Sequence, residues 1–194
     1  MTKELMLYID FMLFYIKNHK VYVKMSVGKK LSIISGIITI ITTYLFSWYA
    51  INTGTIYYAS GLGIIFNIPA MFSEAPSLGS TLGIPSFAVY IVAVYLILFL
   101  AAGFFQLLGV KHRGFVLFGT LLSLGMGILI FLGSFNVVDK TVWIENMLGT
   151  NTPLVEGYIP WAILGLNTFD IGLYLLYAAG IIGIVATIYG PGPF

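Results

Sequence analysis

Few residues in this 194-residue chain could do chemistry, and they lie far apart. There are two histidines, His19 and His112, no cysteine and only seven acids. A haem between helices wants histidine ligands inside them, a thiol enzyme wants paired cysteines, and zinc or non-haem iron wants three or four clustered ligands. Both histidines adjoin lysines outside the apolar runs, so no metal and no cofactor is expected. Serine is plentiful, but no G-x-S-x-G turn occurs and no histidine lies near the outer serines to act as base. GMG at 125–127 sits inside an apolar run, where helix packing accounts for it better than phosphate binding does. The expectation is a protein that is not an enzyme.

The strongest pattern is a repeated spacing. FNIPAMFSEAP, from Phe66, and TNTPLVEGYIP, from Thr150, each carry an Asn, a Pro two places on and a second Pro seven places later. These are Asn67, Pro69 and Pro76, and then Asn151, Pro153 and Pro160, separated by a shift of 84 residues. Asn bonds nearby backbone and Pro fixes its own φ and restricts the residue before it, so each copy reads as a corner in an outer loop. The same shift lays Asn52 on Asn136, Tyr90 on Tyr174, and Ser35, Thr39 and Thr43 on Gly119, Ser123 and Gly127. Each triplet is a small-xxx-small row, which puts short side chains on one helix face and lets another backbone approach.

The elements that position these residues belong in a bilayer. With 59% hydrophobic and 8% charged residues and a mean hydropathy of +1.01, the chain has too few charges to cover a soluble globule. Segments 31–51, 86–108, 114–135 and roughly 169–189 are each long enough, at about 1.5 Å per residue, to cross a hydrocarbon core. The predicted fold class is an all-α membrane protein of four transmembrane helices, two duplicated helical hairpins in a pseudo-two-fold bundle with ordered outer loops. Its divisions are residues 1–30, a first hairpin over 31–110 with outer loop 52–85, and a second over 111–194 with outer loop 136–168. Hairpins of two spans share an orientation, so the pseudo-axis runs along the membrane normal.

Lys3, Lys17, Lys20, Lys24, Lys29, Lys30, Lys111 and Arg113 fall on one side of these spans, and only Lys140 on the other. That bias places both termini in the cytoplasm of a multi-pass cell-membrane protein. The net charge of +2 is a topology signal, and no nucleic-acid partner is implied. Residues 1–24 read either as an interfacial helix on the cytoplasmic leaflet or as a dispensable extension ahead of Met25, where MSVGKK would make a start. The first long apolar run has no A-x-A site after it and reads as an uncleaved span.

Both outer loops are too apolar to be solvated linkers, so short helices or partly re-entrant pieces packed on the bundle are expected. VVDKTVWIENML, 137–148, could form one such helix. Trp48, Trp143 and Trp161 fall on the outer side as interfacial anchors. Asp170 reads as an acid in the first turn of the last span, with Thr168 as N-cap. Gln106 reads as a snorkelling or packing residue. The expected function is a scaffold or accessory subunit that uses its apolar outer loops, with the lipid bilayer and other membrane subunits or a second copy as partners. The alternative is a small oligomeric pore or transporter for a neutral solute, with Ser35, Thr39, Thr43, Ser47 and Ser123 along a polar path.

Overall fold

The computed structural model describes residues 25–52, 56–134, 144–150 and 170–190. Residues 1–24, Asn136, Asn151, Pro153, Pro160, Trp143 and Trp161 lie outside the described residues, as does most of the second outer loop. The protein is mostly helical, with two to three candidate membrane-spanning helices among the described residues.

Helix α1 (Val27–Leu45) starts where Ser26 Oγ accepts from Lys29 N at 3.3 Å, satisfying one of the orphan amides of the first turn. Its buried face is Gly28, Ser32, Ser35, Gly36, Thr39, Thr42 and Thr43, while Ile34, Ile37 and Ile41 point outward. Small and hydroxyl side chains inside, branched apolar ones outside, is the arrangement that lipid favours. The helix stops at Leu45 and the expected span 31–51 does not continue as one element. Trp48 accounts for the stop: its indole N–H takes the carbonyl of Thr42 at 3.1 Å, one of the four orphan carbonyls of the last turn. The ring is fully buried and packs edge-on to Phe99 at 5.4 Å. Trp48 is therefore a core residue and not the interfacial anchor expected from sequence.

The all-α expectation also needs correcting. Strands β1 (Tyr49–Asn52), β2 (Ile56–Ala59) and β3 (Gly149–Thr150) form an antiparallel sheet in the order β1-β2-β3, with Tyr49 opposite Ala59 and Ala59 opposite Gly149. Within 137–148, the described part is a π-helical turn over Ile144–Leu148 leading into β3.

Helix α2 (Gly61–Ser73), capped by Ser60 Oγ on Gly63 N at 3.3 Å, contains both Asn67 and Pro69. The first Asn-x-Pro copy is thus inside a helix and not at a corner. Proline removes one helical hydrogen bond, a loss that a helix held by its neighbours can absorb. Pro76 lies in the first turn of α3 (Ala75–Leu82), where a missing N–H costs nothing. Gly83, at φ +68°, and Pro85 then turn the chain by 104° into α4 (Ser86–Leu100).

The expected span 86–108 breaks at Ala101, and a short helix α5 (Ala102–Leu108) follows. Helices α6 (Arg113–Ser134) and α7 (Ile171–Tyr189) are each long and apolar enough to cross a membrane, and the bent pair α3–α4 makes the third candidate. Helix α1 packs on α5 and α7, and α6 packs on the same two, so these four close a ring; α4 lies outside it against α2, α3 and α6.

Candidate functional site

The centre of that ring is polar. Reciprocal close approach brings α5 into it: a Cβ on Gly36 would lie 2.9 Å from Gly103 O, and one on Gly103 would lie 2.9 Å from Gly36 O. On the other side, a Cβ on Gly119 of α6 would collide with Ala102 O and come within 2.9 Å of Gln106 Cγ. Glycine at these crossings lets the short α5 sit between α1 and α6, and so delivers Gln106 to the middle.

Gln106 is fully buried and reaches both neighbours. Ser35 Oγ and Thr39 Oγ1 each donate to its Oε1 at 2.8 Å, and its Nε2 donates to Ser123 Oγ at 3.2 Å. Ser32 Oγ donates to the Gln106 backbone carbonyl at 2.5 Å. Ser123 Oγ donates back to Gly119 O at 2.9 Å, and Ser35 Oγ also lies 2.7 Å from Ala179 O on α7. Ser35 has one proton, which it shares between the two acceptors. Gly183 of α7 completes the packing, since a Cβ there would collide with Thr120 Oγ1 and sit 3.0 Å from Ser35 Oγ. Thr120 Oγ1 is buried without a hydrogen-bond partner, like Thr42 Oγ1 and Thr43 Oγ1.

All six residues of the two small-residue rows are buried. Four of them, Ser35, Thr39, Gly119 and Ser123, meet around Gln106. Thr43 instead lies against Gly61 at the start of α2, and Gly127 faces the Tyr177 ring. Gln106 itself is the residue that sequence reasoning undervalues: it is too deep to snorkel, and its signal is being the one strongly polar residue in 86–108.

A second buried polar contact lies at the other end of α1. Asp170 occupies the N-cap position of α7 rather than its first turn, and makes no side-chain cap bond. Its Oδ2 accepts from Ser47 Oγ at 2.6 Å, and its backbone N–H donates to Trp48 O at 3.1 Å. Burial pushes the carboxyl above its ordinary value, and the Ser47 hydroxyl draws it partly back. The expected Thr168 cap lies outside the described residues.

Asn67 marks a third contact. Its Nδ2 donates to Gly149 O at 2.8 Å, joining α2 to β3, while Gly63 lies hard against Leu148 O. Its copy Asn151, with Pro153 and Pro160, lies outside the described residues.

Chemically, the Gln106 cluster consists of one carboxamide, hydroxyls and carbonyls, none of which titrates near neutral pH. Among the described residues no group of three or more His, Cys, Asp or Glu could hold a metal ion. The arrangement ties four helices together through neutral hydrogen bonds. Comparison with protein-family models, with curated proteins and with solved structures returned no match, so function has to be argued from these residues.

Proposed function

We propose that the chain is a non-catalytic scaffold or accessory subunit of a membrane complex, a four-span bundle that docks through its apolar outer segments. The observation that carries this reading is the closure of the Gln106 cluster. Ser35, Thr39 and Ser123, three of the five hydroxyls a polar path would use, are fully buried and spend their bonds on Gln106 and on helix carbonyls. A hydroxyl used as interhelical glue in a packed core is not exposed to a passing solute. The alternative pore would have to form between copies of the chain.

The four spans of this proposal are α1, α4 continued by α5, α6 and α7, with both termini cytoplasmic. In support, Ser32 touches Gln106, which puts Lys29 and Lys30 at the same end of the bundle as Lys111. Gly190, just past α7, lies against the Arg113 guanidinium at that end too. The basic residues thus gather where a cytoplasmic face would hold them. Duplicated hairpins are proposed on similar grounds: shifting by 84, Val27 falls on 111, two before the start of α6, and Ser86 falls on 170, one before the start of α7. The resemblance is confined to the spans, because Ile65 and Phe66 are helical while Gly149 and Thr150, their counterparts, are a strand.

Purification in a mild detergent tests the function. A stable heteromer is the expected outcome; a homo-oligomer that leaks small solutes from liposomes would replace this reading with the pore. Ser123→Leu sharpens the choice, since a packed face predicts failed assembly and a lined path predicts an intact fold with altered conductance.

A further inference from the structure

Helix α2 has two unlike faces. Gly63, Ile64 and Met71 are buried and Asn67 bonds Gly149, whereas Ile65, Phe66, Pro69 and Phe72 share the opposite, exposed face. Positions 65, 66, 69 and 72 follow helical spacing, so the exposed face is a single apolar stripe.

The depth of this stripe follows from what its ends touch. At its start, Gly61 lies against the Thr43 carbonyl, two residues before α1 ends. At its far end, Phe72 stacks on Tyr90 at 5.9 Å, about one turn inside α4. Both ends of α2 are therefore level with the outermost turns of two helices, and α2 runs across the bundle's outer end. The next helix, α3, meets α4 at 104° and so lies nearly perpendicular to it.

The exposed hydroxyls of α3 turn back on their own helix: Ser77 Oγ to Glu74 O at 2.8 Å, Ser80 Oγ to Ser77 O at 2.7 Å and Thr81 Oγ1 to Ser77 O at 2.9 Å. Bonded in this way, the hydroxyls of α3 are satisfied within the chain and do not bar the helix from an interface. The stripe is also continuous, through the Phe72–Tyr90 stack, with Phe87, Ile91 and Val94 on the exposed side of α4.

We infer that α2 and α3 form an interfacial foot, lying in the plane of the outer leaflet with Ile65, Phe66 and Phe72 seated at the boundary between headgroups and acyl chains. The occupant of this face is lipid, on the same terms as an amphipathic surface helix. The inference rests on α4 being a span, and it narrows the scaffold reading: a protein partner has to dock on some other part of the outer surface.

The absence of cysteine makes the test clean, because each introduced thiol is unique. Phe66→Cys, Phe72→Cys, Ser80→Cys and, as a depth reference, Ile97→Cys are spin-labelled in the full chain. They are reconstituted into phosphatidylcholine vesicles and read by collision with oxygen and with a water-soluble nickel chelate. Labels at 66 and 72 should be mobile, favour oxygen, and report a depth of about 5–10 Å. The label at 97, eleven residues into α4, should lie about 16 Å below the start of that helix.

If position 97 is reached by nickel, the span reading itself fails. If 97 is deep while 66 and 72 collide mainly with nickel, the foot stands in water and the inference is overturned alone. Labels at 66 and 72 that are immobile and shielded from both probes would place protein on this face and overturn it as well. So would a label at 80 deeper than those at 66 and 72, which would make α3 re-entrant.

Discussion

The interior of the bundle and the cap at one of its ends solve the same problem by different means. Around Gln106, helices are joined by side chains: a carboxamide, three hydroxyls and the glycines that let them meet. In the cap, pieces are joined mostly through backbone: Trp48 N to Ala59 O at 2.8 Å, Ser60 N to Leu148 O at 3.1 Å, and the pairing of β2 with β3. Inside a helix the backbone groups are already spent on each other, so polar contact between helices has to come from side chains. Past the helix ends backbone groups are free, and strands and turns can use them.

The largest expected effect breaks the interior. Gln106→Leu removes three side-chain bonds and takes the Oε1 acceptor from Thr39, while Ser35 and Ser123 keep the Ala179 and Gly119 carbonyls. A loss of about 2–4 kcal/mol is expected, read by unfolding in mixed micelles. Gln106→Glu is the sharper variant, because it keeps the shape and adds a charge that the buried centre has no cation to pair with among the described residues.

The next tests the cap by steric means. Gly63→Val drives a branched side chain into Leu148 O, with Gly149 C only 2.8 Å from the new Cβ. Overpacking of this kind costs about 1–3 kcal/mol. The contrast predicts that the loss is local: limited proteolysis of the outer segments should quicken while the bundle unfolds close to its wild-type midpoint. Equal loss in both readouts would mean that cap and bundle unfold as one unit.

Asn67→Ala should be milder, about 1 kcal/mol, since it removes one hydrogen bond and inserts no new bulk. The proteolysis readout should move in the same direction as for Gly63→Val.

The smallest effect concerns Asp170, which stands where bundle and cap join. Its carboxyl is raised by burial, so the folded state prefers the protonated form. The contribution is full below the ordinary carboxylate value, about pH 4, and is lost as pH rises through the raised one. Stability of the wild type should fall over that window, and Asp170→Asn, which can still accept from Ser47, should flatten the profile. An unchanged slope would assign the pH dependence to another group.

Some residues carry their meaning in their own letters. Ser35, Thr39, Gly119 and Ser123 sit at helical spacing among large apolar residues, which marks a packing face before any partner is known. Pro76 opens a helix for a reason local to the chain. Pro69 misleads because Asn-x-Pro is a turn signal only when nothing else holds the helix; α2 is held by the strand and turn beneath it. Trp48 misleads because an indole at a span's end is apolar enough for the interface and equally able to cap a carbonyl, and only the fold of β1 against β2 turns it inward.

Composition and periodicity by themselves determined that the chain is made mostly of helices apolar enough for two to three of them to cross a membrane, with small residues on facing sides, because those properties depend on residues within a turn or two of each other. Tertiary structure alone decided which polar groups meet. Ser35 and Gln106 are 71 residues apart, Asn67 and Gly149 are 82 apart, and Ser47 and Asp170 are 123 apart. A buried polar side chain must find a partner somewhere, but its own neighbourhood in the sequence does not say where, since the choice belongs to whichever backbones glycine allows to touch.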